Sequence, residues 1–137
     1  MRISRKGNYG LRIAYELACN YSKGPVTAKL ISQRQNIPLQ VLEQLLFVLS
    51  KGGVIKIESG PSGVGYILAD EPNKLSVGDF FKSLEGPYQI SGCVTNGKKE
   101  HCSREEYCIS ITFWRMFEKE MEHLLDGYTL GDLSRLV

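Results

Sequence analysis

The 137-residue chain lacks any apolar run near the roughly 18–20 residues that a membrane-spanning helix needs. Its start, Met1-Arg2-Ile3-Ser4-Arg5-Lys6-Gly7, is basic but lacks the apolar stretch and small-residue cleavage site of a secretory signal. A cytoplasmic protein with no membrane partner is therefore expected, in a compartment where thiols stay reduced. There is no internal repeat and no low-complexity segment. The chemistry of an enzyme is thin. Cys102 beside His101 is the only nucleophile–base pair, neighbours in sequence rarely face one another, and nothing supplies an oxyanion site, so catalysis is not expected. The four cysteines form neither the paired CxxC knuckles of a zinc ribbon nor a ferredoxin run.

The net charge is only +2, yet it is unevenly distributed. Residues 1–60 hold nine Lys/Arg against three acids, a net +6, whereas residues 61–137 hold eight basic and twelve acidic residues, a net −4. A basic front half on an acidic back half suits a protein whose front alone meets a polyanion.

The apolar spacing predicts a first helix over about 8–22, with Ile13, Ala14, Leu17, Ala18 and Tyr21 inward and Cys19 a buried structural thiol. Gly24-Pro25 ends it. Thr27 caps a short second helix over about 28–35 that turns Leu30 and Ile31 inward. Pro38 opens a third, running to about Ser50, with Val41, Leu42, Leu45, Val48 and Leu49 as its inner stripe and Gly52-Gly53 as its stop. Val54–Glu58 and Val64–Leu68 read as strands joined by a turn over Ser59–Gly63. Ser76 opens a fourth helix to about Leu84. Residues 86–107 show no usable periodicity, and a loop of about twenty residues in a small domain is usually functional or disordered. A long helix over about 108–126 closes the pattern, with Ile109, Phe113, Met116, Phe117, Met121, Leu124 and Leu125 on one face, widened by Ile111 and Trp114; His123 reads as a surface residue. The expected fold is mainly α with a small β-hairpin, a winged helix-turn-helix.

A short helix, a tight turn and a second helix place that second helix in the major groove of DNA. Gln40, Glu43 and Gln44 lie outside its inner stripe, about a turn apart. Gln bonds adenine at two positions and a carboxylate accepts from the cytosine amino group. Lys51, Lys56, Arg34, Arg2, Arg5 and Lys6 are the candidates for phosphate contact.

Cys93, Cys102 and Cys108 fall within sixteen residues of a glycine-containing loop. Three clustered cytosolic thiols point to thiolate ligation, and a set one ligand short of four suits sensing better than permanent structure. His101, Glu100, Glu105 and Glu106 lie nearby. Redox chemistry of the thiols themselves, without metal, is the other use of such a loop; Lys98, Lys99 and Arg104 favour thiolate and the glutamates oppose it.

The opening Met1–Leu11, Val41-Leu42-Glu43-Gln44-Leu45, Gly60-Pro61 with Gly65-Tyr66, Phe113-Trp114 and Thr129-Leu130-Gly131-Asp132-Leu133 together resemble the IscR/NsrR/CymR family of bacterial winged-helix repressors. The resemblance spans nearly the whole chain. It implies a homodimer on palindromic double-stranded DNA, with the long last helix crossing its partner's. It places Gln40, Glu43 and Gln44 at base-contacting positions, and Cys93, Cys102 and Cys108 at the ligands of a 2Fe-2S or 4Fe-4S cluster that controls DNA binding. This chain departs from the pattern in several places. Eight residues separate its first two loop cysteines where cluster regulators usually have five. Ile111 stands where they carry a histidine ligand, and Asn8 where the nitric-oxide sensors of the family use an aspartate, which leaves the fourth ligand between His101 and Asn8. Ser59 replaces the arginine that usually enters the minor groove from the wing, and Phe47 and Val48 replace more polar residues on the reading helix. The cysteine-metabolism repressors of the family share the N-terminal pattern but lack the triad.

The organisation expected is therefore a DNA-binding unit over 1–85, a cysteine-containing sensor loop over 86–107, and a dimerisation helix with a tail over 108–137. The function expected is a cluster-controlled transcription repressor. The alternatives are the same scaffold answering to thiol modification or a small molecule, and, in another class, a small iron–sulfur or zinc protein without DNA binding.

Overall fold

A computed structural model describes residues 3–88, 90 and 102–136. Helix α1, Arg5–Asn20, starts where the Ser4 side chain accepts a hydrogen bond from the Gly7 amide. It buries Ile13, Ala14 and Leu17 and ends in a 3-10 turn over Tyr21–Lys23. Helix α2, Ala28–Gln35, is capped by Thr27 and terminated by Asn36 in the left-handed region, φ 51°. That sharp reversal delivers the chain to Pro38 and helix α3, Leu39–Lys51.

Strands β1, Ile55–Gly60, and β2, Gly63–Leu68, form an antiparallel hairpin with Ile55 opposite Leu68 and Gly60 opposite Gly63. The turn is thus Pro61-Ser62 alone, and Ser59 belongs to the strand rather than to the five-residue turn expected. Gly63 takes φ 106°, which only glycine adopts at little cost. The hairpin is tied to the entry of α2 by reciprocal amide–carbonyl bonds between Val26 and Tyr66, at 2.9 and 2.8 Å. Gly65 lets this approach happen, since a side chain there would meet the Pro25–Val26 backbone at about 3.1 Å.

Helix α4, Val77–Glu85, is capped by Ser76. Helix α5, Ile109–Asp126, leads into α6, Leu130–Ser134, through a capping box in which Thr129 and Asp132 satisfy each other's backbone amides. The C-terminal segment is therefore more than a tail. Leu130 is fully buried, and the Leu130 amide reaches the Leu75 carbonyl at 2.9 Å, so α6 completes the core under α1.

The core is built from Ile13, Leu17, Ile31, Ile37, Leu42, Leu46, Leu49, Phe80, Leu84 and Leu130, all essentially inaccessible. Burying each such side chain contributes about 1.5–3 kcal/mol. Several expected core positions are shifted. On α3 the buried residues are Leu42, Leu45, Leu46 and Leu49, while Val41 and Val48 are more than a third exposed. Admitting Leu46 in place of Val41 and Val48 turns the stripe by about 50° from the expected one, which is centred on Leu45. Leu30, at 36% exposed, faces outward from α2, and Cys19 is only half-buried. On α5 Ile111 is the buried residue, whereas Ile109, Phe113, Met116 and Leu124 are all more than half exposed.

Helix α4 sits where three helices meet. Lys82 reaches α5, a side chain added to Gly52 at the end of α3 would strike Ser83, and one added to Gly10 of α1 would strike Leu84. Three successive residues, about 100° apart around the axis, thus address three different helices.

Candidate nucleic-acid interface and cysteine loop

Gln40, Glu43, Gln44, Phe47 and Lys51 all lie within about 100° of arc on the outer side of α3, and all are exposed. The expected readers Gln40, Glu43 and Gln44 are thus brought onto one face, and the structure adds an aromatic to it. The Phe47 ring is 60% exposed, and the Lys51 ammonium stands 4.8 Å from its centroid. Lys56 and Ser59 are exposed on β1, directly C-terminal to the helix. Arg5 and Lys6 are exposed in the first turn of α1; Arg2 lies outside the described residues.

Arg34 is committed elsewhere. Its Nη1 donates to Glu16 Oε1 at 2.8 Å, and the buried Glu16 carboxylate also accepts from Gln35 Nε2 at 2.7 Å and Asn20 Nδ2 at 3.3 Å. Arg12 adds a bond from its guanidinium to the Gln35 carbonyl at 3.1 Å, satisfying the C-terminus of α2. These contacts fix α2 on α1, and through the Asn36 turn they set the direction of α3. A buried acid on the apolar side of a helix, eighteen residues before an arginine, was the available sequence signal, and charge counting alone missed it.

Cys108 is the N-cap residue of α5. The first-turn amides of Ile111 and Ser110 hold its thiol below the usual range, and Arg104 adds to this. Amides unsatisfied at a helix start favour an anion there, so the thiolate is stabilised relative to that of a free cysteine. Cys102 is exposed six residues earlier, in a turn closed by the Glu105 amide on the Cys102 carbonyl at 3.1 Å. The Arg115–Glu105 ion pair, 3.1 Å, ties that turn to α5. Cys93 and His101 lie outside the described residues, and Asn8 is exposed on α1. Among the described residues no three His, Cys, Asp or Glu side chains gather as a metal site. Ile111 is 5% exposed, packed as an apolar residue.

A clasp joins the start of the loop to α5. Lys82 Nζ lies 2.8 Å from Glu122 and 3.9 Å from Asp126, and 5.7 Å from the centre of the Tyr88 ring. The Tyr88 hydroxyl points to the Gly78 carbonyl at 3.4 Å. Lys82 is held above its usual value, chiefly by its bond to Glu122, and burial pushes the Tyr88 phenol up. Each residue alone looks like solvated charge, so the clasp too escaped the sequence reading.

A helix-turn-helix followed at once by a two-stranded wing, with a polar reading face and basic flanks, defines a winged-helix regulator. The model of the Rrf2 family, described as iron-dependent transcriptional regulators, matches residues 3–135, and the chain belongs to that family. It is 37% identical to the HTH-type transcriptional regulator CymR of Bacillus subtilis (strain 168), over 98% of this chain and 90% of that one. It is 34% identical to the HTH-type transcriptional regulator IscR of Aliivibrio salmonicida (strain LFI1238), over 97% of this chain and 77% of that one. The solved structure of T. potens IscR superposes with a TM-score of 0.79 at 34% identity, covering 98% of this chain and 87% of that one. The B. subtilis CymR structure, described as that of the global cysteine regulator, gives 0.77 at 33% identity, covering 100% and 98%. The protein is therefore a transcriptional regulator of a non-enzymatic family, which sets aside the alternative of a metal protein without DNA binding. No helix among the described residues is long and apolar enough to cross a membrane.

Proposed function

We propose that the chain is a cytoplasmic, homodimeric repressor that reads a palindromic operator with Gln40, Glu43 and Gln44 of α3. The observation that carries this reading is the single exposed face of α3 beside the wing. Arg2, Arg5, Lys6, Lys51 and Lys56 contact phosphates, and Ser59 meets the minor groove where a longer cation would reach further. Residues 1–85 form the reading unit, rejoined by α6. The exposed Phe113, Met116 and Leu124 of α5 pack against a second copy, which covers an apolar face that a monomer leaves in water. Half-sites of such dimers lie about 34–36 Å apart, so a small change in the angle between copies decides binding.

Control is assigned to an iron–sulfur cluster, 2Fe-2S or 4Fe-4S, held by Cys93, Cys102 and Cys108 with His101 or Asn8 as fourth ligand. The donor chemistry fits, since the Cys108 thiol is already biased toward thiolate at a helix start and Cys102 is accessible. When bound, the cluster supplies a group sensitive to iron supply and oxidants. The chain's part is to hold two thiolates at the mouth of α5 and to link the 86–107 loop, through Tyr88 and Lys82, to α4.

A second reading keeps the scaffold and replaces the cluster by thiol modification or a small molecule; identity of 37% to CymR supports it. Anaerobic purification with visible absorption, iron and sulfide analysis separates the two. A coloured protein whose operator affinity changes on cluster loss is expected, while a colourless protein that cannot be reconstituted leaves the second reading. A gel shift on duplexes selected from a random pool tests the shared part, and absence of salt-sensitive binding in every redox state would overturn both.

A further inference from the structure

We infer that Phe47 is a specificity-determining residue that reads the 5-methyl group of a thymine in each half-site; this rests on α3 being the reading helix. Phe47 shares the outer arc of α3 with Gln40, Glu43 and Gln44 and is exposed beyond them, one turn further along. This large aromatic is held 60% in water on a face otherwise made of glutamines, a glutamate and a lysine, and the Lys51 ammonium on one side of its ring leaves most of the ring uncovered among the described residues. The core arc of Leu42, Leu45, Leu46 and Leu49 lies on the opposite side. Within the major groove the one apolar group on a base edge is the thymine methyl, and Phe is among the side chains that contact it.

Position supports the assignment. Phe47 lies about 10 Å along the helix axis from Gln40. At about 3.4 Å per base this reaches about three base pairs beyond the pair Gln40 meets, still inside one half-site. Lys51, 4.8 Å from the ring centroid, occupies one side of the ring and carries its charge toward the sugar–phosphate wall, which leaves the rest of the ring for the groove floor.

The test is a thymine-to-deoxyuridine scan of a selected operator duplex, which removes one methyl at a time and leaves base pairing intact, run with the wild-type protein and with Phe47→Ala and Phe47→Ser. Expected is a loss of about fourfold in wild-type affinity at one thymine of each half-site, the factor for re-exposing one methyl-sized apolar group. Both variants should bind thymine and deoxyuridine duplexes equally there, with an unchanged salt slope. A flat wild-type scan, or the same methyl sensitivity in the variants, would overturn the inference while leaving α3 as the reader. A uniform loss on all duplexes with a shallower salt slope would also overturn it, making Phe47 a support for Lys51. No specific binding by the wild type to any duplex would instead defeat the proposed function itself.

Discussion

Replacing Arg34 by methionine removes one arm of the junction that orients α3, the proposed reading helix. The Arg34–Glu16 contact is a charge-assisted bond of 2.8 Å, and bonds of this kind contribute about 1.5–3 kcal/mol. Two corrections act in opposite directions. Arg34 is itself 49% exposed, so its own charge is rarely out of water and its loss returns little solvation. Glu16 is only 6% exposed in its side chain, so without Arg34 its charge rests on Gln35 and Asn20 alone. The second effect is larger because an unpaired buried charge is costly, and about 2–3 kcal/mol of destabilisation is expected for Arg34→Met. Glu16→Gln keeps the shape and one acceptor and should cost about 1–2 kcal/mol. Because the two residues share one bond, the double variant should be milder than the sum by about 1 kcal/mol or more. At about 3–5 °C per kcal/mol for a chain of this size, Arg34→Met lowers Tm by roughly 6–15 °C, measured at fixed protein concentration because the proposed dimer would make Tm depend on it. Calorimetry of the four proteins of the cycle is the assay. Additive effects, or an Arg34→Met protein within about 0.5 kcal/mol of wild type, would refute the claim that Glu16 is a buried charge held by its partner.

A methyl group at Gly10 would strike Leu84 Cδ2, so Gly10→Ala should destabilise by about 1–3 kcal/mol and Leu84→Val in the same chain should recover part of it, read by urea unfolding. Gly65→Ala pushes the wing off the Pro25–Val26 backbone and should weaken operator binding in a gel shift more than it lowers Tm; the reverse order would mean the wing's seat is purely structural. Cys108, with Cys19, Cys93 and Cys102 changed to serine, should alkylate with a rate midpoint below the roughly 8.5 of a free thiol, because the Ile111 and Ser110 amides favour its thiolate. The sign for stability follows: a depressed folded value favours folding above the unfolded pKa, and the benefit fades as pH falls through the folded value. A midpoint at or above that of free cysteine would refute it. Met116→Lys with Phe113→Glu should convert a dimer to a monomer by native mass spectrometry with the helical signal retained, since both side chains are exposed in the single chain.

The elements whose cause is local were legible in the sequence. Thr27, Ser76 and the Gly52–Gly53 pair sit at helix ends because caps and stops act on the backbone next to them. What failed was long-range. Val41 and Val48 look like core residues by spacing, but the arc that α3 buries is chosen by the helices packed against it, and these favour Leu46. Helix α6 is short, and its place is set by the Leu75 carbonyl and the capping box rather than by periodicity. The shared face of Gln40, Glu43 and Gln44 on α3 needed only helical geometry, whereas the Glu16 junction joins residues 18 and 19 apart in sequence. The exposed stripe of α5 was visible as an apolar face, yet a sequence cannot say that the face is left uncovered by its own chain.

That uncovered face gives α4 its importance in the proposed control. Lys82, Ser83 and Leu84 meet α5, α3 and α1 in turn, and the loop toward the cysteines leaves α4 only two residues later, through Gly86 at φ 81°. Ser83 and Leu84 press on glycines, so neither contact has a long side chain to absorb a rotation of α4. The contact to α5 is uneven: near the C-terminal end of α4 it is the Lys82–Glu122 ion pair between flexible groups more than a third exposed, whereas at the other end the Val77 amide bonds the Tyr128 carbonyl at 2.8 Å and Gly78 faces Asp126. In the proposed control, a change that reorders the loop therefore pivots the C-terminal end of α4 on α5 about the Val77–Tyr128 bond, and α3 and α1 follow α4 as one body. In the proposed dimer, where α5 faces the second copy, such a pivot would alter the angle between the two copies of α3 without altering either winged-helix unit. The end that yields is the electrostatic one, so Lys82→Met should loosen the dependence of operator binding on the state of the cysteines in a gel shift while leaving affinity of the unregulated form close to wild type.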